Sequence, residues 1–167
     1  MVKAVESLLA KGLDLELVVV GASDPADRGA SATLAKQVTA LREQGRVQFV
    51  GNRAFGPELF QAYADADVLV LPSLTEGTPR VLVEARAFRC PVVATNVGGI
   101  PTSVRDGEDG LLVPPADAAA LAQAIERVAR DRAFAERLIE RGLAKVRNMT
   151  IEGLSADILA GARQLGK

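Results

Sequence analysis

Short apolar runs alternate with amphipathic segments along the chain, and this pattern predicts a repeating strand–helix order. Leu15-Glu16-Leu17-Val18-Val19-Val20-Gly21 reads as a buried strand ending in a turn glycine. Residues 47–51, 67–73, 91–95 and 110–114 read as four more. Their β-branched residues run on without in–out alternation, which predicts strands covered on both faces. Helical stretches are predicted over 2–11, 30–44, from Gly56-Pro57 onward with Phe60, Tyr63 and Ala64 on one side, and from Thr78-Pro79 onward. At the last of these, Thr78 is placed to cap and Pro79 suits the first helical position. Three further helices are predicted near 117–130, 133–147 and 151–165. Leu121, Ala124, Ile125 and Val128 fall at i, i+3, i+4 and i+7, so that helix buries one stripe. No repeat, low-complexity tract or interdomain linker interrupts the order.

Buried parallel-type strands alternating with helices predict an α/β fold: a Rossmann-like three-layer α/β/α parallel sheet of about five strands, in one domain over 1–167. Ligands of such sheets bind beyond the carboxyl ends of the strands. Of the 167 residues, 49% are apolar and 25% charged, and the net charge is −1. That balance argues against a basic nucleic-acid surface. No apolar run is long enough to span a bilayer. No signal-peptide pattern opens the chain, and the single cysteine, Cys90, cannot close an internal disulfide; a reducing, cytoplasmic setting is expected. Cys90 reads as a small buried residue. The chain has no histidine, which removes imidazole bases, Ser-His-Asp chemistry and His-based metal sites.

Chemistry is densest in Leu71-Pro-Ser-Leu-Thr-Glu-Gly-Thr-Pro-Arg-Val-Leu-Val-Glu-Ala85, running from a strand end through a loop into a helix. Gly77 allows close approach to a ligand, and the amides of Arg80, Val81 and Leu82 open the helix, where phosphate is favoured. Glu76 then lies beside the phosphates, and Glu84 is placed to accept bonds from a ribose diol. Taken singly, Glu76 is a loop acid beside a turn glycine and Glu84 a solvated helix acid. Asp106-Gly107-Glu108-Asp109-Gly110 lacks calcium-loop spacing and reads as a tight turn into a strand.

The ordered set Pro72-Ser73, Glu76-Gly77, Pro79 and Glu84-Ala85, followed by residues 91–101 and 106–114, resembles the donor-binding domain of GT-B-fold retaining glycosyltransferases of family 4, the glycosyl transferases group 1. The resemblance is densest over 67–115. It implies a nucleotide-diphosphate sugar as donor and transfer with retention, with no metal or other cofactor required. It implies that Glu76 is the catalytic-site carboxylate contacting the donor sugar, that Glu84 binds the ribose, and that backbone amides of Gly77, Thr78, Pro79's successors Arg80 and Val81, and Leu82 hold the diphosphate. Gly51, Asn52 and Arg53 would lie near the base, and Gly98 and Gly99 would shape the pocket floor.

The departures carry expectations of their own. The family usually has glycine where Arg89 stands, and Thr102 replaces a common acid. If the position needs a left-handed backbone, Arg89 is strained by ~1 kcal/mol. The family's first, central strand, with its Gly-Arg and Lys cations, is expected to be missing, as is the acceptor domain. The strands at 15–20 and 67–71 would then pair directly, or a rearrangement or partner would fill the gap by dimerisation or strand exchange. The isolated chain is expected to bind donor weakly without turnover, and peripheral association of the full enzyme with the inner membrane face is left open. A non-catalytic or truncated nucleotide-binding module and a GT-B-fold nucleotide-sugar epimerase remain as alternatives.

Overall fold

The computed structural model describes residues 1–21, 31–147 and 149. In chain order it runs α1 (Val2–Ala10), β1 (Leu17–Val20), α2 (Ala32–Glu43), β2 (Val47–Gly51), α3 (Pro57–Asp65), β3 (Leu69–Leu71), α4 (Val81–Ala87), β4 (Val92–Thr95), α5 (Ile100–Ser103), β5 (Leu111–Val113), α6 (Ala118–Arg130) and α7 (Arg132–Arg147). All the pairings are parallel, and helices lie on both faces. The helix expected over 151–165, and Ala22 and Ser23 after the first strand, lie outside the described residues.

The strands form two sheets, β1-β2 and β3-β4-β5, and β1 does not pair with β3. Of the two arrangements expected for a fold lacking its central strand, direct pairing is therefore absent. Helix α1 joins the halves instead. Its Ala4 and Leu8 share a core with Val68 and Val70, while its Val5 packs with Leu17 and Val47. The opposite face of the β3-β4-β5 sheet is covered by α3, α4 and α5, through Tyr63, Leu82 and Ile100 against Val92 and Ala94.

Two expectations need correction. Full coverage holds for β4, whose four residues are all buried, but not for β1. Leu17 packs against the core and Val19 is half-buried, while Val18 and Val20 are 49% and 38% exposed. The apolar run thus signalled a strand without showing that one of its faces lacks a covering helix among the described residues. Helix α4 also begins two residues later than expected, with Arg80 at its N-cap and no side-chain cap. Thr78 is held against Gly99 by tertiary packing instead. Elsewhere the local signals hold: Ser31 caps α2, Asp117 caps α6, and Leu121, Ile125 and Val128 are buried together. The one-turn helix α5 was not anticipated. No described helix is long and apolar enough to cross a membrane.

Arg89 has φ 62° in the turn between α4 and β4, so the strained backbone expected there is present. Its side chain forms an exposed ion pair with Glu140 at 2.8 Å. An exposed pair contributes less than about 1 kcal/mol, whereas a left-handed non-glycine residue costs about 1–2 kcal/mol. Arg89→Gly should therefore raise unfolding free energy by about 0.5–1 kcal/mol in urea titration; a fall of that size would show that the ion pair dominates.

Candidate functional site

The loop between β3 and α4 is fixed from below. Thr95 at the end of β4 donates from its hydroxyl to the Ser73 carbonyl at 2.6 Å. The Gly99 amide donates to the Gly77 carbonyl at 3.0 Å and, more weakly, to that of Glu76 at 3.4 Å. A Cβ on Gly98 would overlap the Glu76 carbonyl oxygen, and one on Gly99 would overlap that of Gly77. Gly98 also has a positive φ of 53°. Both glycines are therefore required by close backbone packing. They support the loop rather than lining the cavity above it, which refines their expected role as a pocket floor.

Glu76 and Glu84 line one cavity of about 440 Å³, together with Arg53, Phe55, Pro79, Arg80 and others. Each carboxylate is oriented by a hydroxyl. Ser73 donates to Glu76 Oε1 at 2.7 Å, and Tyr63 donates to Glu84 Oε2 at 2.9 Å. In each case no described residue donates to the second oxygen, which can serve a ligand. The amides of Gly77, Thr78, Arg80 and Val81 donate to no described residue. Leu82 is fully buried, and its amide makes a 3.4 Å bond to the Pro79 carbonyl, so the open donors sit one residue earlier than expected. Arg80 forms no ion pair with a described residue, although two carboxylates share its cavity. Arg53 is at the cavity and pairs with Glu58 at 3.0 Å. Gly51 and Asn52 do not line it: Gly51, with φ 69°, turns the chain, and Asn52 lies beside Gly21.

Sequence reasoning missed Phe55 and the positioning roles of Tyr63 and Ser73. Phe55 is 71% exposed yet stands edge-on to Phe60 at 4.9 Å, and Phe60 stacks on Phe88 at 5.0 Å. A lone aromatic in a polar loop before Gly56-Pro57 was the available signal. A second cavity of about 480 Å³ opens among the starts of α1, α2 and α6, with Lys3, Ser31, Leu74 and Asp117 in its wall. It contains neither Glu76 nor Glu84, and Asp117 is already engaged by the Ala119 and Ala120 amides. The convergent acids therefore mark the smaller cavity as the candidate site. No group of three or more His, Cys, Asp or Glu among the described residues is arranged to hold a metal ion.

Burial, followed by the bond to Glu84, holds the Tyr63 phenol above its ordinary range. A raised folded pKa means that this contribution to stability is complete below the unfolded value near pH 10 and is lost as pH rises through the folded one. Tyr63 is the single tyrosine, so phenolate absorbance reports on it alone. At about pH 10, where a free tyrosine is half ionised, the native chain should show little phenolate. The signal should appear together with loss of helical circular dichroism; half-ionisation in the folded chain near that pH would contradict the buried Tyr63–Glu84 contact.

Comparison with known proteins follows the same lines. The family model described as glycosyl transferases group 1 matches residues 1–131. The D-inositol 3-phosphate glycosyltransferase of Corynebacterium diphtheriae is 37% identical over 134 residues, covering 78% of this chain and 31% of the relative. The lipopolysaccharide core biosynthesis glycosyltransferase LpsE of Rhizobium meliloti is 38% identical over 109 residues, covering 65% of this chain and 31% of the relative. Among solved structures, the sucrose-phosphate synthase of Thermosynechococcus elongatus superposes with a TM-score of 0.71 at 34% identity, over 98% of this chain and 42% of the other. Anabaena HepE in complex with UDP-glucose gives 0.77 at 26% identity, over 95% and 44%. The chain thus spans about a third of the length of the curated relatives it matches.

Proposed function

Because this chain belongs to the glycosyl transferases group 1 family, we propose that it is the donor-binding domain of a glycosyltransferase, taking a nucleotide-diphosphate sugar into the 440 Å³ cavity. The observation that carries this reading is the convergence of Glu76, Glu84, Arg80 and Phe55 on one cavity beyond the carboxyl end of β3. The complexes of HepE with UDP, with UDP and glucose, and with UDP-glucose support it.

Each group has a task in this reading. The open oxygen of Glu84 accepts from the ribose diol, and Tyr63 holds its other oxygen. The nucleobase lies on the exposed ring of Phe55, beside Arg53. Glu76, oriented by Ser73, meets the hydroxyls of the donor sugar. The diphosphate faces the open amides of Arg80 and Val81 and the Arg80 guanidinium. A leaving diphosphate gains negative charge as the glycosidic bond breaks, and fixed donors aimed at that charge lower the barrier. Arg80 and the backbone fill that role here, in place of a metal ion. Transfer proceeds with retention at the anomeric carbon, largely through positioning and leaving-group stabilisation. Acceptor recognition falls to sequence that the longer relatives carry outside the match, so the 167-residue chain binds donor without transferring sugar.

Calorimetric titration with UDP, GDP, ADP and uridine tests the reading. The chain should bind at least one of the diphosphates. Glu84→Ala should weaken that diphosphate by about tenfold or more, since a bond to a charged acceptor contributes about 1.5–3 kcal/mol. Arg80→Met should weaken the diphosphate but leave the matching nucleoside within about twofold. Binding of none of the nucleotides would favour a non-catalytic module.

A further inference from the structure

Outside the cavity, the described residues contain a buried charge cluster that the proposed chemistry does not use. Arg86 on α4 is 2% exposed and Asp109, in the turn before β5, is 4% exposed. The Arg86 guanidinium donates from Nε to the Leu82 carbonyl at 2.8 Å, from Nη1 to the Ser103 carbonyl at 3.0 Å and from Nη2 to Ser103 Oγ at 3.0 Å. It also lies 3.4 Å from Asp109 Oδ1, which accepts the Arg105 amide at 2.8 Å. Lys145 on α7 reaches into the same cluster, donating to the Ser103 carbonyl at 2.7 Å and pairing with Asp109 Oδ2 at 2.8 Å. Gly142 lets α7 lie directly on the Arg86 stem, because a Cβ there would come within 3.0 Å of Arg86 Cδ. Every charged and polar side-chain atom in the cluster has a partner.

Ser103 is the last residue of α5, and Gly99 is the N-cap of the same single turn. One end of this short strut is gripped by two cations, Arg86 and Lys145. The other end supports the Glu76-Gly77 backbone through the Gly99 amide and the overlap-limited packing of Gly98. Ile100, inside the turn, is fully buried, so the strut has little freedom to bend. The path from α7 to the loop is thus an unbroken series of hydrogen bonds and close contacts, the kind of contiguous network through which coupling is carried.

We propose that Lys145 and Arg86 are positioning residues that set the Glu76 loop through Ser103 and the one-turn helix α5. The proposal rests on the cavity being a nucleotide-sugar site, with Glu76 serving the sugar and Glu84 the nucleoside. Arg86 shares a helix with Glu84, so its loss disturbs both carboxylates. Lys145 touches the far end of the strut at Ser103 and the buried Asp109 but neither cavity carboxylate nor α4 directly, so its loss leaves the bonds that Arg86 makes to Leu82 and Ser103 in place.

The test uses Lys145→Met, with Lys145→Arg as rescue. In the unliganded chain, the Gly99 and Gly77 amide resonances should shift in the Met variant while the Glu84 amide stays near its wild-type position. With UDP and UDP-glucose as probes, the Met variant should lose about fivefold or more in affinity for UDP-glucose and stay within about twofold for UDP. Lys145→Arg should restore most of that loss. Amide shifts confined to α7 and residues 103–109, or a parallel fall for both probes, would overturn the proposal while leaving the nucleotide site intact. If the wild-type chain bound neither probe, the nucleotide-sugar reading itself would fall. Should the Met variant unfold, Lys145→Gln takes its place: with the pair to Asp109 lost and the contact to Ser103 weakened, Gly99 and Gly77 should still shift and UDP-glucose affinity should fall more than UDP affinity, and the absence of both changes would overturn the proposal.

Discussion

The site depends on a backbone-to-backbone contact that only glycine permits. Gly98 and Gly99 lie so close under Glu76 and Gly77 that any side chain would occupy the space of a carbonyl oxygen. This fixes the height of the loop above β4, and with it the distance at which Glu76 can meet anything in the cavity. Hydroxyls then set the finer geometry. Ser73 and Tyr63 each hold one oxygen of an acid, so the free oxygens are aimed before a ligand arrives. Pre-aimed groups of this kind do not have to be ordered during binding, which lowers the free-energy cost of recognition.

The electrostatic setting follows from the same packing. Two carboxylates in one cavity oppose an incoming diphosphate unless a cation stands with them, and Arg80 is placed to do so. Arg53 is already paired with Glu58 beside the aromatic ring of Phe55. Two acceptors, a cation and open amides thus meet at one cavity, the set of groups that the proposed sugar nucleotide calls for. A dipole from α4 adds little, because that helix has only seven residues.

Much of this was legible in the chain because it is local. Apolar runs located the five described strands, and the spacing from Glu76 to Glu84 placed both acids at one strand end. The misreadings arose where a distant contact overrode a local preference. Thr78 has good capping chemistry, but packing against Gly99 keeps it from that task, and α4 starts at Val81. The sequence gives no sign of the buried Arg86 cluster, since nothing near that residue announces partners at Ser103 and Asp109. Val18 and Val20 read as core because apolar alternation was absent, yet one face of β1 is open. The strain at Arg89 was visible only through comparison with a glycine at the same position of the family pattern.

The split between the two sheets bears on how the domain breathes. No ladder of main-chain bonds crosses from β1 to β3, so the halves are tied by helix packing, chiefly through α1. Packing of this kind can loosen in one place without unzipping a continuous sheet, which would let the halves open locally as separate units. Arg53 and Phe55 follow β2 in sequence but are tied through Glu58 and Phe60 to α3, which packs on the three-stranded half that carries both acids. Opening of the β1-β2 unit would therefore leave the lining of the 440 Å³ cavity in register, so that loosening at the edge of the domain need not spread to the acids.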